Sequence, residues 1–266
     1  MFPPFPSGIW GPFLKAAALK PHRIRYWLTP PPDPLRETRT QDVCQTYAQA
    51  SERAERGERT LSTDEMTGVQ ALQRKYSGLP MQLGKIACRE HEYIRHGTLA
   101  FIVNFDVVTG QVQTPSCGPT RTEADFTAHI VRTVEVDPQV TRWHFVVDNL
   151  NIHQSVSLVL LAATRDGITA DLGEVGKRGI LQSMQTRAAF LSDPSHSLVF
   201  HYTPRHSSWL NQIEIWFSIL ARKLLKRASF CSVEDLEAQV RAFIVYYNAT
   251  MAKAFQWTYK GKPLTI

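Results

Sequence analysis

The sequence predicts an α/β protein, a mixed β-sheet flanked by helices, and three observations carry that reading. Short apolar runs of β-type composition (residues 59–66, 98–107, 143–147 and 197–202) alternate with segments whose apolar residues recur every three or four positions. They fall in the order strand, hairpin, helix, strand, helix, strand, helix, helix, an alternation that sets helices against the faces of a sheet. At 266 residues and 43% hydrophobic content, the chain can bury such a core as one domain with appendages.

Taken in order, residues 1–13 are broken by Pro and Gly and fit no regular element. A short helix is expected over residues 14–19, ending before Pro21. The stretch K-P-H-R-I-R-Y-W-L follows, basic with interleaved aromatics and including Lys20, Arg23 and Arg25. T-P-P-P-D-P (residues 29–34) is a stiff, extended linker. A helix then runs from about residue 33 to 56 and stops at Gly57. The 98–107 run is turned by Thr109-Gly110 into residues 111–114, a hairpin whose turn starts at Asp106. Residues 122–134 form a helix capped by Thr120 or Thr122, with Phe126, Ile130 and Val134 on one face. Residues 156–164 are an apolar helix, which Asn149 and Asn151 are placed to cap. In the last third, Leu210, Ile213, Phe217, Leu220 and Leu224 mark one long amphipathic helix. Ser232 with Asp235 resembles a capping box, and Val233, Leu236, Val240, Phe243 and Tyr247 repeat the stripe.

The net charge of +6 and isoelectric point near 9.2 favour an anionic partner, of which nucleic acid is the common case. No apolar run approaches the roughly 20 residues of a membrane span. The N-terminus lacks a basic n-region and is interrupted by prolines, so it is not read as a signal peptide. Cys44, Cys88, Cys117 and Cys231 are scattered with no C-x-x-C pair, which suits a reduced, cytoplasmic protein and argues against structural zinc.

Three acids stand where chemistry is usually placed. R-T-L-S-T-D and W-H-F-V-V-D each end a β-type run in an aspartate, Asp64 and Asp148. Glu214 lies in the first turns of the helix that follows Y-T-P-R-H-S-S-W-L-N-Q, at the edge of its apolar stripe. Side chains alternate across a strand, so Asp64 and Glu65 should face opposite ways and only one of them should share a site with Asp148. Two strand-borne aspartates and a helix-borne glutamate offer hard oxygen ligands to Mg²⁺ or Mn²⁺. Two such ions about 3.5–4 Å apart clamp an in-line displacement at phosphorus. The bland readings are a turn or cap for each aspartate, an exposed helix position for Glu214, and structural roles for His153 and His206.

Beyond spacing, L-S-T-D-E-M-T-G-V-Q-A-L, H-F-V-V-D-N-L-N-I-H and Y-T-P-R-H-S-S-W-L-N-Q-I-E-I-W-F resemble the catalytic core of IS630-type bacterial transposases, of the Tc1/mariner superfamily of DDE enzymes. The resemblance covers about residues 20–262. It implies a ribonuclease-H-like fold and a triad of Asp64, Asp148 and Glu214 holding two Mg²⁺ or Mn²⁺ ions. It also implies double-stranded DNA as partner, with terminal inverted repeats as substrate, TA as target, and a homodimer. The domain reading is a remnant of an N-terminal helix-turn-helix region (1–30), a linker and helix (31–58), and the catalytic domain (59–266). Members of the family carry paired helix-turn-helix modules, of which only K-P-H-R-I-R-Y-W-L has a counterpart here. Two alternatives stay open: a ribonuclease-H-like nuclease without strand transfer, and an inactive remnant that only binds DNA.

The 66-position step from Asp148 to Glu214 is longer than in mariner-type members, and its extra segment (about 165–197) carries Lys177 and Arg178. It reads as a DNA grip or as a solvated loop with a short helix. Lys223, Lys226 and Arg227, placed on the Glu214 helix, could contact phosphates or merely complement the helix dipole. Trp209 could stack on a base. Trp216 reads as core.

Overall fold

The computed structural model of the chain describes residues 33–113 and 115–260 and, before them, residue 16 alone. The rest of the helix expected over 14–19, the basic stretch with Lys20, Arg23 and Arg25, and most of the Pro-rich linker lie outside the described residues. In chain order, α1 (Arg36–Ala48) and α2 (Ala50–Glu55) precede β1 (Glu58–Arg74), β2 (Tyr93–Asp106) and β3 (Ser116–Gly118). Next come α3 (Glu123–Val136), β4 (Arg142–Val147) and α4 (Val156–Arg165). A small ribbon, β5 (Gly173–Glu174) and β6 (Arg178–Gly179), and α5 (Met184–Leu191) lead to β7 (Leu198–Tyr202), α6 (Ile213–Leu220) and α7 (Val233–Thr250).

The main sheet has the order β3-β2-β1-β4-β7. β1, β2 and β3 pair antiparallel, whereas β4 and β7 run parallel to β1. The sheet is therefore mixed, as expected from the hairpin followed by two helix-linked strands. One face carries Leu61, Phe145, Phe200, Phe126, Ile130 and Leu158 in a single cluster with α3, α4 and α5. The other packs Phe101, Phe105, Trp216, Phe217, Leu236 and Tyr247 beneath α6 and α7. Each such side chain, fully buried, contributes about 1.5–3 kcal/mol relative to exposure, so the two-sided sheet is the rigid frame for whatever lies at its end. Helix α1 is held separately, through Val43 and Tyr47 against Val146 and Leu210.

Several sequence expectations are corrected. The helix over 33–56 is two helices meeting at Gln49; Gly57, at φ 78°, ends the second as anticipated. β1 continues well past Met66 to Arg74, because Gly68 adopts φ 64° inside a register shift rather than breaking the strand. Beyond it, residues 75–92 form an arm held by the bridges Leu79↔Cys88 and Gln82↔Lys85, with Leu79, Met81, Leu83 and Ile86 exposed. The Thr109-Gly110 turn is present: Asp106 Oδ1 accepts from the amides of Val108 and Thr109, both at 2.9 Å. Its return leg makes one bridge, Phe105↔Val112, and the strand that pairs with β2 is β3. Gly110 is obligatory on two counts, φ 71° and a Cβ position only 2.1 Å from the Lys253 backbone. Thr122 caps α3 in a full capping box with Asp125, and Ser155, not Asn149 or Asn151, caps α4.

The 165–197 segment contains the short helix expected in one of its two readings, α5, which Ser183 caps, and adds the β5–β6 ribbon before it. The helix of Glu214 is also shorter than its stripe implied. Leu210 belongs to a 3₁₀ turn before it, and after Leu220 the chain widens into a π-turn (Ala221–Leu225) that holds Leu224.

Candidate active site

The acidic end of the sheet is built by β1, the exit of β4 and the entrance of α6. Alternation along β1 sends Ser62 and Asp64 to the α6 face. There Asn211, fully buried, joins them: its Nδ2 donates to Thr63 O (3.0 Å) and Asp64 Oδ2 (3.3 Å), and its Oδ1 accepts from Ser62 Oγ. Ser62 Oγ in turn accepts from the Ile213 amide at 2.8 Å. Asp64 Oδ1 takes the Glu65 amide (2.8 Å), and the Glu214 amide donates to Asn211 O (3.1 Å), so Asn211 staples the first turn of α6 to β1.

Glu65 points to the opposite face, as the pleat requires. Its Oε1 lies 2.8 Å from His153 Nε2, and His153 Nδ1 lies 2.8 Å from Asp148 Oδ1; the Glu65 and His153 side chains are both fully buried. The expectation that only one of Asp64 and Glu65 shares a site with Asp148 is thus corrected. β4 ends at Val147, so Asp148 stands past the end of the sheet and is within reach of both faces.

Burial first, then the charges of Asp148 and Glu65, lift the Asp64 carboxyl to about 7. Glu214 is raised as well, by burial and then by Asp148. The structure therefore brings Asp64, Asp148 and Glu214 into one electrostatic neighbourhood, with Asp148 felt by both others. For His153, burial alone would lower the pKa, but its bonds to Asp148 and Glu65 outweigh this and carry it to about 10.

The surplus of negative charge tests the fit to a metal. Glu65 Oε2 is buried without a partner. Among the described residues, neither Asp148 Oδ2 nor the Glu214 carboxylate accepts a hydrogen bond. No group of three or more His, Cys, Asp or Glu among them is gathered closely enough to hold a metal ion. The donors are nonetheless all carboxylate oxygens, which suit a hard divalent ion and not zinc, and their mutual repulsion is relieved by a cation.

A protein-family profile described as DDE superfamily endonuclease matches residues 59–237. The chain belongs to this family. Among solved structures, the DDE endonuclease domain is similar to the Mos1 mariner paired-end complex with Mn, at 13% identity and a TM-score of 0.50, covering 88% of this chain and 62% of that one. The Mos1 transposase paired-end complex with left transposon end gives 14% identity and a TM-score of 0.51, covering 87% and 61%. The chain thus spans under two thirds of the length of these two Mos1 chains. That likeness establishes the fold as ribonuclease-H-like, as the sequence resemblance implied. A search of curated proteins gives no match.

In this DDE endonuclease domain the other sequence candidates fall apart into groups. Lys177 and Arg178 sit on the β5–β6 ribbon and are met by local acids, Lys177 by Glu174 at 2.7 Å and Arg178 by Asp171 at 2.6 Å. Lys223, Lys226 and Arg227 are exposed but not on α6: Lys223 is in the π-turn and the others follow it. None of the ion pairs among the described residues involves these three. The carbonyl of Lys226 accepts from Arg89 (3.2 Å) and Arg74 (3.5 Å), which adds two guanidiniums from the 75–92 arm and its base. Trp216 is fully buried, whereas Trp209 is 46% exposed and meets Tyr259 edge-on at 5.0 Å. Asn211 and the pairing of Glu65 with His153 went unnoticed in sequence, although all three residues lie inside the quoted motifs and Glu65 was placed on the face opposite Asp64. No helix among the described residues is long and apolar enough to cross a membrane.

Proposed function

We propose that this chain is an IS630-type transposase that cleaves DNA at the ends of a mobile element and joins the freed ends to target DNA. Asp64, Asp148 and Glu214 are its metal-binding residues. The observation that carries this reading is that three under-compensated carboxylates, Asp64 within β1, Asp148 just past β4 and Glu214 in the first turn of α6, share one electrostatic neighbourhood in a chain of the DDE endonuclease family. Two Mg²⁺ or Mn²⁺ ions held there would stabilise the attacking and leaving oxygens at phosphorus.

The chain's own residues do the positioning. Asn211 fixes Asp64 and, through Ser62 and the Ile213 amide, the start of α6 that carries Glu214. Asp148 offers Oδ2 while Oδ1 is tied to the Leu150 amide (2.9 Å) and His153. Cleavage makes a bond from a water oxygen to phosphorus and breaks the 3′-oxygen–phosphorus bond, leaving a 3′-hydroxyl. In strand transfer that hydroxyl oxygen attacks a phosphorus of the target, at TA, and the target's own 3′-oxygen leaves. No side chain is covalently modified in either step.

Residues 59–266 form the catalytic unit in this reading, residues 31–58 are a linker and helix, residues 1–30 are the remnant of a DNA-binding helix-turn-helix region, and two chains act as a dimer on double-stranded DNA. Lys223, Lys226 and Arg227 contribute phosphate contacts, joined by Arg74 and Arg89. Lys177 and Arg178, already paired, contribute less. The test is Mg²⁺- or Mn²⁺-dependent nicking and joining on duplexes bearing the flanking element's ends, with Asp148→Ala as control. Joined products that vanish in the variant support the reading. Cleavage without joining of a pre-cut 3′ end makes the chain a nuclease instead, and a folded, inert wild type overturns catalysis altogether.

A further inference from the structure

We propose that Glu65 and His153 are positioning residues for Asp148, a buried two-link brace that fixes one oxygen of that carboxylate and leaves the other facing the catalytic site. The inference rests on the reading of Asp148 as a metal-binding residue and goes beyond it, since it assigns a role to two residues that do not themselves line the triad.

The geometry is over-determined in a way that packing alone does not require. His153 places its two ring nitrogens against two different carboxylates at 2.8 Å each, Glu65 on β1 and Asp148 at the exit of β4. With acceptors on both sides, both nitrogens serve as donors, and the ring has one productive orientation. That orientation is locked from further directions. The ring packs on Phe126 of α3, centroids 4.4 Å apart, and the backbone carbonyl of His153 accepts from the Tyr202 hydroxyl at 2.8 Å. Tyr202 ends β7, so the ring is held from β1, the exit of β4 and α3, and its backbone from β7.

The consequence falls on Asp148, whose side chain is 23% exposed and would otherwise swing freely past the strand end. Oδ1 accepts from the Leu150 amide and lies 2.8 Å from His153 Nδ1, which also reaches the Asp148 carbonyl oxygen at 3.1 Å. Burying Glu65 completely is expensive, and replacing such a buried pair by apolar residues is often neutral or stabilising. A brace whose members can be replaced without loss of fold is better explained by what it orients. Outer groups of this type typically govern metal affinity by 10–100-fold.

The test measures Mn²⁺ affinity by calorimetry on the purified full chain, without DNA, alongside thermal melting of the metal-free protein. Asp148→Ala is expected to lose Mn²⁺ binding; if it binds like wild type, the metal reading itself fails and the brace with it. With that control in place, Glu65→Gln, which keeps the shape and removes the charge, is expected to weaken Mn²⁺ about 10–100-fold. The double variant Glu65→Leu/His153→Leu should melt within a few degrees of wild type and show the same weakening. Wild-type Mn²⁺ affinity in folded Glu65→Gln overturns the brace while leaving the triad intact.

Discussion

Two buried polar clusters sit on the same strands, β1, β4 and β7, and they are balanced in opposite ways. At one end, Glu58, His144, His201 and Asp42 form a closed chain: Glu58 to His144 at 2.8 Å, His144 to His201 at 3.1 Å, and His201 to Asp42 at 2.9 Å. Each acid there has a donor, and Thr46 adds a hydroxyl to His201 at 3.1 Å. Burial and the nearby Arg53 push His144 down to about 4, so the chain sits neutral at its centre. At the other end, four acids, Asp64, Glu65, Asp148 and Glu214, have one imidazole among them, His153, which meets only Glu65 and Asp148. The first cluster docks α1 onto the sheet. The second carries negative charge that the protein does not neutralise, and that imbalance distinguishes a site from a strut.

The largest effect that would sharpen the contrast is on the unbalanced end. Asp148→Ala should reduce metal-dependent cleavage to background in a gel assay while leaving the fold intact by circular dichroism. The balanced end should behave in reverse. His201→Ala strips partners from His144 and Asp42 and should cost about 1–3 kcal/mol in denaturant melts, with cleavage by the folded fraction unchanged. Loss of cleavage there, at full stability, would erase the distinction between the two clusters.

Asp64 provides a smaller, pH-dependent probe. Its folded pKa, about 7, is raised above the ordinary carboxylate value near 3.9. The folded state therefore binds the proton more tightly. The stability this lends is complete below the unfolded pKa and is lost as pH rises through about 7. Metal-free Asp64→Asn should accordingly melt several degrees higher than wild type at pH 8 and nearly level with it at pH 4, by calorimetry. Smallest is the outer surface: Lys226→Ala should lessen the slope of log K for duplex DNA against log salt by about one, without altering cleavage chemistry.

Much of this was legible locally. The runs ending at Asp64 and Asp148 were visible because apolar β-type composition stops at an acid, and Glu214 was visible because it borders a stripe. Thr122 and Gly57 announced their helix ends through cap chemistry alone. What escaped was non-local. Glu65 meets His153 across 88 positions and Asn211 meets Asp64 across 147, and no periodicity links residues at such separations. The run 59–66 missed the last eight residues of β1 because the strand continues through a register shift that holds Gly68 at positive φ, which breaks the alternation that marks a strand. The stripe through Leu224 overstated α6 because a π-turn keeps apolar residues on the same side after the α-helix has ended.

The most direct test of the central claim is a crystal structure of the full chain grown or soaked with Mn²⁺, read by anomalous scattering. The account predicts Mn²⁺ coordinated by Asp64 and Asp148, with Glu214 completing the second position. Mn²⁺ bound elsewhere, or none beside these carboxylates at a concentration that supports cleavage, would contradict it.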